Sequence, residues 1–169
     1  MLKYSILLLF AFCIAAHGQT TNVEQCRVAA GELPINVHIE GCVQPPCRLP
    51  QQQNAVIHII FRSPYEIHRM STLATAYVHT GIIPLPVPYP LGPNAVTCNF
   101  LQNTNCPLVE GEMVHYTLSM PIERSFPEGT QASIEFRVVD ENGTALFCLR
   151  VPIVIDPPVD AAAAQLTSE

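Results

Sequence analysis

The chain has 169 residues, 8 of them basic and 14 acidic, which gives a formal net charge of −6 at pH 7. This acidity argues against charge-driven binding to nucleic acid or to anionic membranes, because both require a basic surface. Hydrophobic residues make up 49% of the chain and charged residues only 13%. A single domain is expected at this length, and the apolar excess indicates either a well-filled core or an apolar cavity in addition to one.

The N-terminal residues have the three parts of a secretory signal peptide. Lys3 supplies the positive charge, residues 6–16 form an almost unbroken apolar run, and small residues precede Gln19. The run is shorter than the ~20 apolar residues that span a bilayer. We therefore predict a signal peptide at residues 1–18, an exported and soluble mature protein, and the loss of Cys13 on cleavage.

The remaining cysteines are six in number, which in an oxidising compartment predicts three disulfides. They are Cys26, Cys42, Cys47, Cys98, Cys106 and Cys148. Six cysteines allow about 15 pairings, so their spacing alone does not identify the partners.

Short apolar segments separated by Pro, Gly and Asn run along the rest of the chain, which is typical of β-strands. We predict strands at residues 35–39, 55–61, 73–83, 114–122, 132–139 and 145–155. No segment combines a helical period with helix caps. The pattern predicts an all-β domain, an immunoglobulin-like two-sheet β-sandwich, over residues 19–156, followed by a flexible tail at residues 157–169.

Residues 140–143 read Asp-Glu-Asn-Gly, a strong hairpin turn because Asn-Gly readily adopts positive φ. Asn142 also begins the sequon Asn-Gly-Thr, and the turn should expose it. We predict N-glycosylation at Asn142.

The proline-rich residues 84–90 predict a stiff, extended edge segment. Proline cannot donate a hydrogen bond to a sheet ladder. We therefore expect this segment to separate from its neighbour and to hold the two sheets apart at one end.

No sequence pattern indicates catalysis. The histidines of the mature chain, His38, His58, His68, His79 and His115, are scattered without zinc-ligand spacing. There is no nucleophile elbow and no phosphate-binding loop, and Glu110 and Glu112 fit a solvated loop better than an acid–base pair. We predict a protein that is not an enzyme and has no cofactor and no metal.

Five segments carry a family resemblance. They are residues 41–49 (GCVQPPCRL), 76–90 (ending PVPYP), 106–111 (CPLVEG), 120–127 (MPIERSFP) and 146–148 (LFC). Together they resemble the ML (MD-2-related lipid-recognition) domains, most closely the Niemann-Pick type C2 sterol-transfer proteins of arthropod type and the mite group 2 allergens. The resemblance extends from Cys26 to about Ile155.

The resemblance implies a hydrophobic ligand cavity between the sheets and the bridges Cys26–Cys148, Cys42–Cys47 and Cys98–Cys106. It places the cavity entrance at Tyr89, Ile122, Phe126 and Pro127 and the deeper wall at Met120 and Phe136. Val78, Pro121 and Ile134 are further expected lining residues. The segments 91–98 and 99–105 are longer than in the closest sterol carriers, which predicts a different entrance rim.

The implied function is that of a secreted, monomeric carrier of a sterol or another small hydrophobic lipid, which passes its ligand to an acceptor membrane or membrane transporter. Its destination is the extracellular space or, alternatively, the lysosomal lumen. Two other hypotheses stay open at this point. One is innate-immune recognition of microbial lipids such as lipopolysaccharide, for which only Arg124 lies near the expected entrance. The other is an adhesion domain with a filled core.

Overall fold

The computed structural model of the protein describes residues 20–29, 31–78 and 84–159. Nine strands occur in these ranges: β1 Glu24–Gln25, β2 Asn36–Ile39, β3 Cys47–Pro50, β4 Asn54–Arg62, β5 Met70–Val78, β6 Leu85–Tyr89, β7 Met113–Pro121, β8 Gln131–Asp140 and β9 Ala145–Asp156. Two short 3₁₀ helices, Gly92–Ala95 and Thr97–Phe100, connect β6 to β7. No described helix is long and apolar enough to cross a membrane.

The strands form two sheets. The larger has the order β1-β9-β8-β5-β6, with β3 pairing with the other end of β9, and the smaller has the order β2-β4-β7. All pairings are antiparallel except β3 with β9. The predicted all-β, two-sheet sandwich is confirmed.

Side-chain alternation determines which face of each strand is buried. In β4, Ala55, Ile57, Ile59 and Phe61 face the core, and their neighbours in sequence face outward. The same alternation buries Val114, Tyr116, Leu118 and Met120 in β7. β-Branched and aromatic residues at every second position form such half-buried strands because they pack well on a pleated surface.

The proline-rich segment stays paired with the sheet, so the expectation that it separates from its neighbour is wrong. Residues 85–89 form β6, and Pro86 and Pro88 lie opposite Tyr77 and Thr75 of β5. The two prolines are two residues apart, so both can occupy positions whose nitrogens point away from β5. The intervening Val87 keeps an N–H for the ladder, and an edge strand tolerates this arrangement.

Two strands were not anticipated from the sequence pattern. β1 has only two residues, too few to show a period. β3 places Leu49 opposite Ile155 in the parallel pairing with β9, a contact between residues more than 100 positions apart that local alternation cannot reveal.

The hairpin turn between β8 and β9 lies where it was predicted. Asp140 accepts hydrogen bonds through Oδ1 from the backbone N–H groups of Asn142 (2.9 Å) and Thr144 (2.7 Å). Gly143 has φ of 80°, as such a turn requires. The side chain of Asn142 is exposed, which the predicted glycosylation needs.

Three disulfides join Cys26 to Cys148, Cys42 to Cys47 and Cys98 to Cys106, so the pairing implied by the family resemblance is confirmed. The two short bridges close local loops. The long one ties the N-terminal segment to β9, where Gly31 also packs against the backbone of Cys148.

The outer face of the larger sheet is partly covered by this N-terminal segment, and a buried charge pair lies beneath it. Glu135 and Arg150 are both nearly inaccessible to solvent and approach to 3.4 Å between Oε1 and Nη1. Glu135 also accepts hydrogen bonds from the backbone N–H of Arg27 (2.9 Å) and from the hydroxyl of Tyr77 (3.2 Å). These partners satisfy a carboxylate that would otherwise be costly to bury.

A cluster of three hydroxyl groups lies in the core between the sheets. The Thr72 hydroxyl lies 2.7 Å from the phenol oxygen of Tyr116 and 2.8 Å from the hydroxyl of Thr97. Burial raises the pKa of Tyr116 to about 12, although the hydrogen bonds from the two threonines act in the opposite direction. The cluster therefore links β5, β7 and the second 3₁₀ helix through neutral hydrogen bonds.

Several predictions from the sequence fall outside the described residues: the signal peptide at residues 1–18, His79, the end of the strand predicted at residues 73–83, and most of the tail at residues 157–169. β9 ends at Asp156, and the domain boundaries stay predictions.

The first prediction concerns the long bridge. Replacing Cys26 and Cys148 by Ala should lower the free energy of unfolding by about 5 kcal/mol, because the bridge restricts a long loop in the unfolded chain. Replacing Cys98 and Cys106 should cost only about 2.5 kcal/mol, since that loop is short. Denaturant unfolding of both double variants measures the difference, and equal losses would contradict the loop-length explanation.

The second prediction follows from the raised pKa of Tyr116. Below pH 10 the phenol is protonated in both states, and its contribution to stability is complete. Between pH 10 and about 12 the unfolded state ionises first, so this contribution falls as pH rises. The stability difference between the wild type and Tyr116→Phe should therefore shrink from pH 9 to pH 11 in urea unfolding. A constant difference would show that Tyr116 titrates normally.

Candidate functional site

A cavity of about 380 Å³ lies between the two sheets at the end of the sandwich where β8 begins. Its wall is formed by β3, β5, β6, β8 and β9, by the end of β7 and by the loop that joins β7 to β8. The lining residues are Leu49, Ala74, Ala76, Val78, Val87, Tyr89, Met120, Ile122, Phe126, Pro127, Thr130, Ala132, Ile134, Ile153 and Ile155.

Small side chains on the larger sheet create this space. Three of the inward residues of this sheet at the cavity end are alanines, Ala74 and Ala76 in β5 and Ala132 in β8. At the opposite end of the sandwich, Phe61 and Phe147 fill the same interlayer space with their ring centroids 5.0 Å apart. The cavity therefore results from a change in the size of the inward side chains along the sandwich. The backbone pairing of the strands is not interrupted there.

The cavity entrance is bordered by two aromatic rings. Tyr89 in β6 and Phe126 in the loop after β7 lie 5.7 Å apart between ring centroids, at an angle of 56°. Val87 lies beside them and is 42% exposed. Burial, followed by the nearby Glu123 carboxylate, raises the pKa of Tyr89, so its phenol stays neutral at physiological pH.

A turn between β3 and β4 holds the entrance loop in place. The side-chain amide of the buried Gln51 donates a hydrogen bond to the Phe126 carbonyl at 2.6 Å. The backbone N–H of Gln52 donates to the carbonyl of Ile122 (2.6 Å), and the N–H of Ile122 donates to the carbonyl of Gln53 (2.8 Å). These bonds fix the backbone on both sides of the loop while its apolar side chains point into the cavity.

Seven of the nine predicted ligand residues lie in the cavity wall: Val78, Tyr89, Met120, Ile122, Phe126, Pro127 and Ile134. Pro121 does not, because it is exposed on the outward face of β7 between two inward residues. Phe136 lies deeper, beside a separate void of about 10 Å³ that also contacts Met120. Met120 contacts both the main cavity and this inner void, so the deeper position predicted for Phe136 stays a prediction, whereas Pro121 lies outside the cavity wall.

The sequence predictions missed eight residues of the wall: Leu49, Ala74, Ala76, Val87, Thr130, Ala132, Ile153 and Ile155. Alternation along β5, β8 and β9 would have placed several of them on the inward face. The three alanines were the available signal, since small residues at inward positions leave space that large neighbours would fill.

The wall is almost entirely apolar. None of its residues is charged, and Thr130 and Tyr89 are the two that carry a hydroxyl group. Such a wall can take up an apolar molecule with one or two weakly polar groups, and it supplies no counter-charge for an ionic headgroup.

The described residues contain one group of three potential metal ligands already close together, namely Cys26, Glu135 and Cys148. Both of these cysteines are in the same disulfide, so neither offers a thiolate. This group therefore does not constitute a metal centre.

The chain is similar in sequence and in fold to several known proteins. A family model described as "ML domain" matches residues 20–155. The chain is 28% identical over 121 residues to an "NPC intracellular cholesterol transporter 2" of Danio rerio, covering 72% of this chain and 76% of that protein. It is 24% identical over 156 residues to the homolog a of Drosophila melanogaster, covering 92% and 99%. A crystal structure of a Niemann-Pick type C2 protein from the Japanese carpenter ant superposes with a TM-score of 0.64 at 18% identity, covering 80% of this chain and 99% of that one.

The third prediction tests whether alanine size determines ligand capacity. Ala76→Phe should fill much of the cavity and reduce the uptake of an apolar ligand at least about tenfold, with little loss of stability because the ring enters existing space. Thr75→Phe is the matched control, since Thr75, which directly precedes Ala76 in β5, faces outward. Fluorescent-lipid titration of both folded variants measures the effect, and similar binding by the two would contradict it.

Proposed function

The chain belongs to the ML domain family, and from this premise we propose that it is an exported carrier that binds one sterol or similarly apolar lipid in the cavity between its sheets. The single observation that supports this most directly is the cavity itself, which is large, apolar and open to solvent beside Tyr89 and Phe126. Such a site needs no bond-making chemistry, only the transfer of apolar surface out of water.

The size of the hydrophobic effect is sufficient for useful affinity. Burying roughly 500 Å² of ligand surface would contribute on the order of 12 kcal/mol. Association and ordering oppose this by at least about 4 kcal/mol. The remainder of at most about 8 kcal/mol corresponds to binding no tighter than micromolar, with shape rather than hydrogen bonding as the basis of selection.

Two features favour a sterol among apolar ligands. Relatives across vertebrates and insects carry the name of cholesterol transporters. The wall is also built mainly from aliphatic side chains with only two hydroxyl groups, those of Thr130 and Tyr89, which suits a rigid hydrocarbon with a single polar end.

The competing hypotheses gain no support from this wall. Recognition of a phosphorylated microbial lipid would need cations at the rim, and Arg124 is not part of the lining. An adhesion domain with a filled core is inconsistent with a cavity of about 380 Å³. We therefore retain the carrier as the proposed function, with export, a monomeric state, a glycan on Asn142 and transfer to an acceptor membrane as parts of the same proposal.

The fourth prediction tests the site directly. Ile122→Asp places a carboxylate in the wall and should reduce ligand uptake at least about a hundredfold, because the charge would lose its hydration when the ligand enters. Pro121→Asp is the matched control, since the adjacent side chain is exposed on the other face of the sheet.

Ile122 is only 2% exposed, so its Asp variant can fail to fold. Val87→Asp provides a second test, because Val87 lies at the entrance and is already partly exposed. Binding of a fluorescent sterol is measured for each protein that has a native circular dichroism spectrum. Wild-type affinity in folded Val87→Asp and Ile122→Asp would overturn the assignment of this cavity as the ligand site.

The ligand class is tested separately on the natively secreted protein. Lipid extraction and mass spectrometry should identify a co-purified sterol, or the delipidated protein should take up sterol in preference to fatty acid and lipopolysaccharide. Selective uptake of lipopolysaccharide would replace the carrier proposal by the recognition hypothesis.

A further inference from the structure

A pair of histidines lies on the outer face of the smaller sheet, away from the cavity. His38 in β2 is directly opposite His58 in β4 in the antiparallel register. Their rings are stacked, with centroids 5.9 Å apart and an angle of 12° between the planes. Their sequence neighbours Val37, Ile39 and Ile57 are buried in the core, so the two imidazoles belong to the outward face.

Glu40 and Thr117 hold the ring of His58 from both sides. Its Nε2 lies 3.0 Å from the Oε1 atom of Glu40, which is two residues beyond His38 in the chain, and its Nδ1 lies 3.1 Å from the hydroxyl of Thr117 in β7. Metal-binding histidines are commonly oriented in this way. One ring nitrogen is hydrogen-bonded to an oxygen atom that holds the ring, and the other ring nitrogen is directed at the metal site.

The ring of His38 has an unused nitrogen. Its Nδ1 is buried and has no hydrogen-bond partner among the described residues, which is an unfavourable position for a polar atom. Directly opposed residues on antiparallel strands have Cβ atoms only about 5 Å apart. A rotation of the His38 ring toward solvent would therefore both release this nitrogen and bring an imidazole to the side where His58 and Glu40 meet.

We propose that His38, His58 and Glu40 form a surface site for a divalent transition metal ion, with zinc as the best fit. Two imidazoles and one carboxylate are a donor set that suits zinc, copper and nickel. Around a tetrahedral zinc, nitrogen and carboxylate ligands lie about 3.3 Å apart, close to the 3.0 Å between His58 and Glu40. Their side chains are 44% and 57% exposed, which leaves room for water as the fourth ligand.

Only the ring of His38 has to move to complete the site. Its nitrogens are not yet close enough to His58 Nε2 and the Glu40 carboxylate for all three groups to bind one ion. A bound ion would connect β2, which is an edge strand, to the central β4. Since the opposed geometry exists only in the folded sheet, binding should raise the thermal stability of the protein. This proposal is independent of the cavity and of its ligand.

The experiment is a zinc chloride titration of the tag-free protein by isothermal calorimetry, with cobalt(II) absorption as a spectroscopic check of imidazole ligation. We expect one zinc ion per chain and a higher midpoint of thermal unfolding with zinc. His38→Ala and His58→Ala should each weaken binding at least about tenfold, and Thr117→Val should weaken it by roughly tenfold through the lost orientation of His58.

His68→Ala is the matched control. His68 also lies beside a carboxylate, 3.6 Å from Glu66, and both side chains are exposed, but no ring contact joins it to a second histidine among the described residues. Absence of saturable zinc binding by the wild type would overturn the proposal, as would an equal loss of affinity in His68→Ala. Fluorescent-lipid binding should be unchanged in all of these variants, so that failure of the metal site and failure of the cavity assignment are distinguishable.

Discussion

The structure depends on an asymmetry of side-chain size along the space between the two sheets. At one end, the buried rings of Phe61 and Phe147 from facing strands pack against each other in this space. At the other end, Ala74, Ala76 and Ala132 are among the inward residues of the larger sheet, and a cavity remains between the sheets. A void of this size forfeits dispersion contacts that a filled core would make, and its cost is the physical reason to expect a ligand in it.

The rest of the fold keeps that void from collapsing. The long disulfide and the buried Glu135–Arg150 pair stabilise the larger sheet from its outer face, whereas the Thr72–Tyr116–Thr97 hydroxyl cluster links the two sheets through the core. On the cavity side, hydrogen bonds from residues 51–53 hold the backbone of the entrance loop. A hydrogen-bonded backbone with apolar side chains at the entrance is compatible with the proposed carrier function. The flexible side chain of Met120 adds adaptability at the inner end.

The two outer faces of the sandwich differ in how far they are covered by other parts of the chain. The N-terminal segment covers part of the larger sheet, and the Glu135 carboxylate beneath it is paired with Arg150 and accepts hydrogen bonds from Arg27 and Tyr77. The outer face of the smaller sheet is more open, and there His38, His58 and Glu40 are brought together by the register of β2 and β4. Histidines that are scattered in the sequence thus become neighbours through strand pairing, which spacing along the chain could not indicate.

Much of the architecture was predictable from local chemistry. Alternation gave the main strands, the Asp-Glu-Asn-Gly turn gave the last hairpin, and the family resemblance anticipated the disulfide pairing and most of the entrance residues. Pro121 lies on the outward face of its strand, a distinction that a resemblance over a contiguous segment does not make. The pairing of β6 was misjudged because each proline was treated as a break in the hydrogen-bond ladder. Two prolines at alternate positions of an edge strand can both direct their nitrogens away from the neighbouring strand.

By itself, the sequence determined the strand pattern, the number of cysteines and the apolar character of the inward faces, because each of these depends on residue type and on a period of two. Only the tertiary structure decided that three alanines from two strands meet at one end of the sandwich, that a turn at residues 51–53 supports the entrance loop, and that His38 faces His58. These features arise from pairings between distant segments, and a register is a property of two strands together rather than of either one alone.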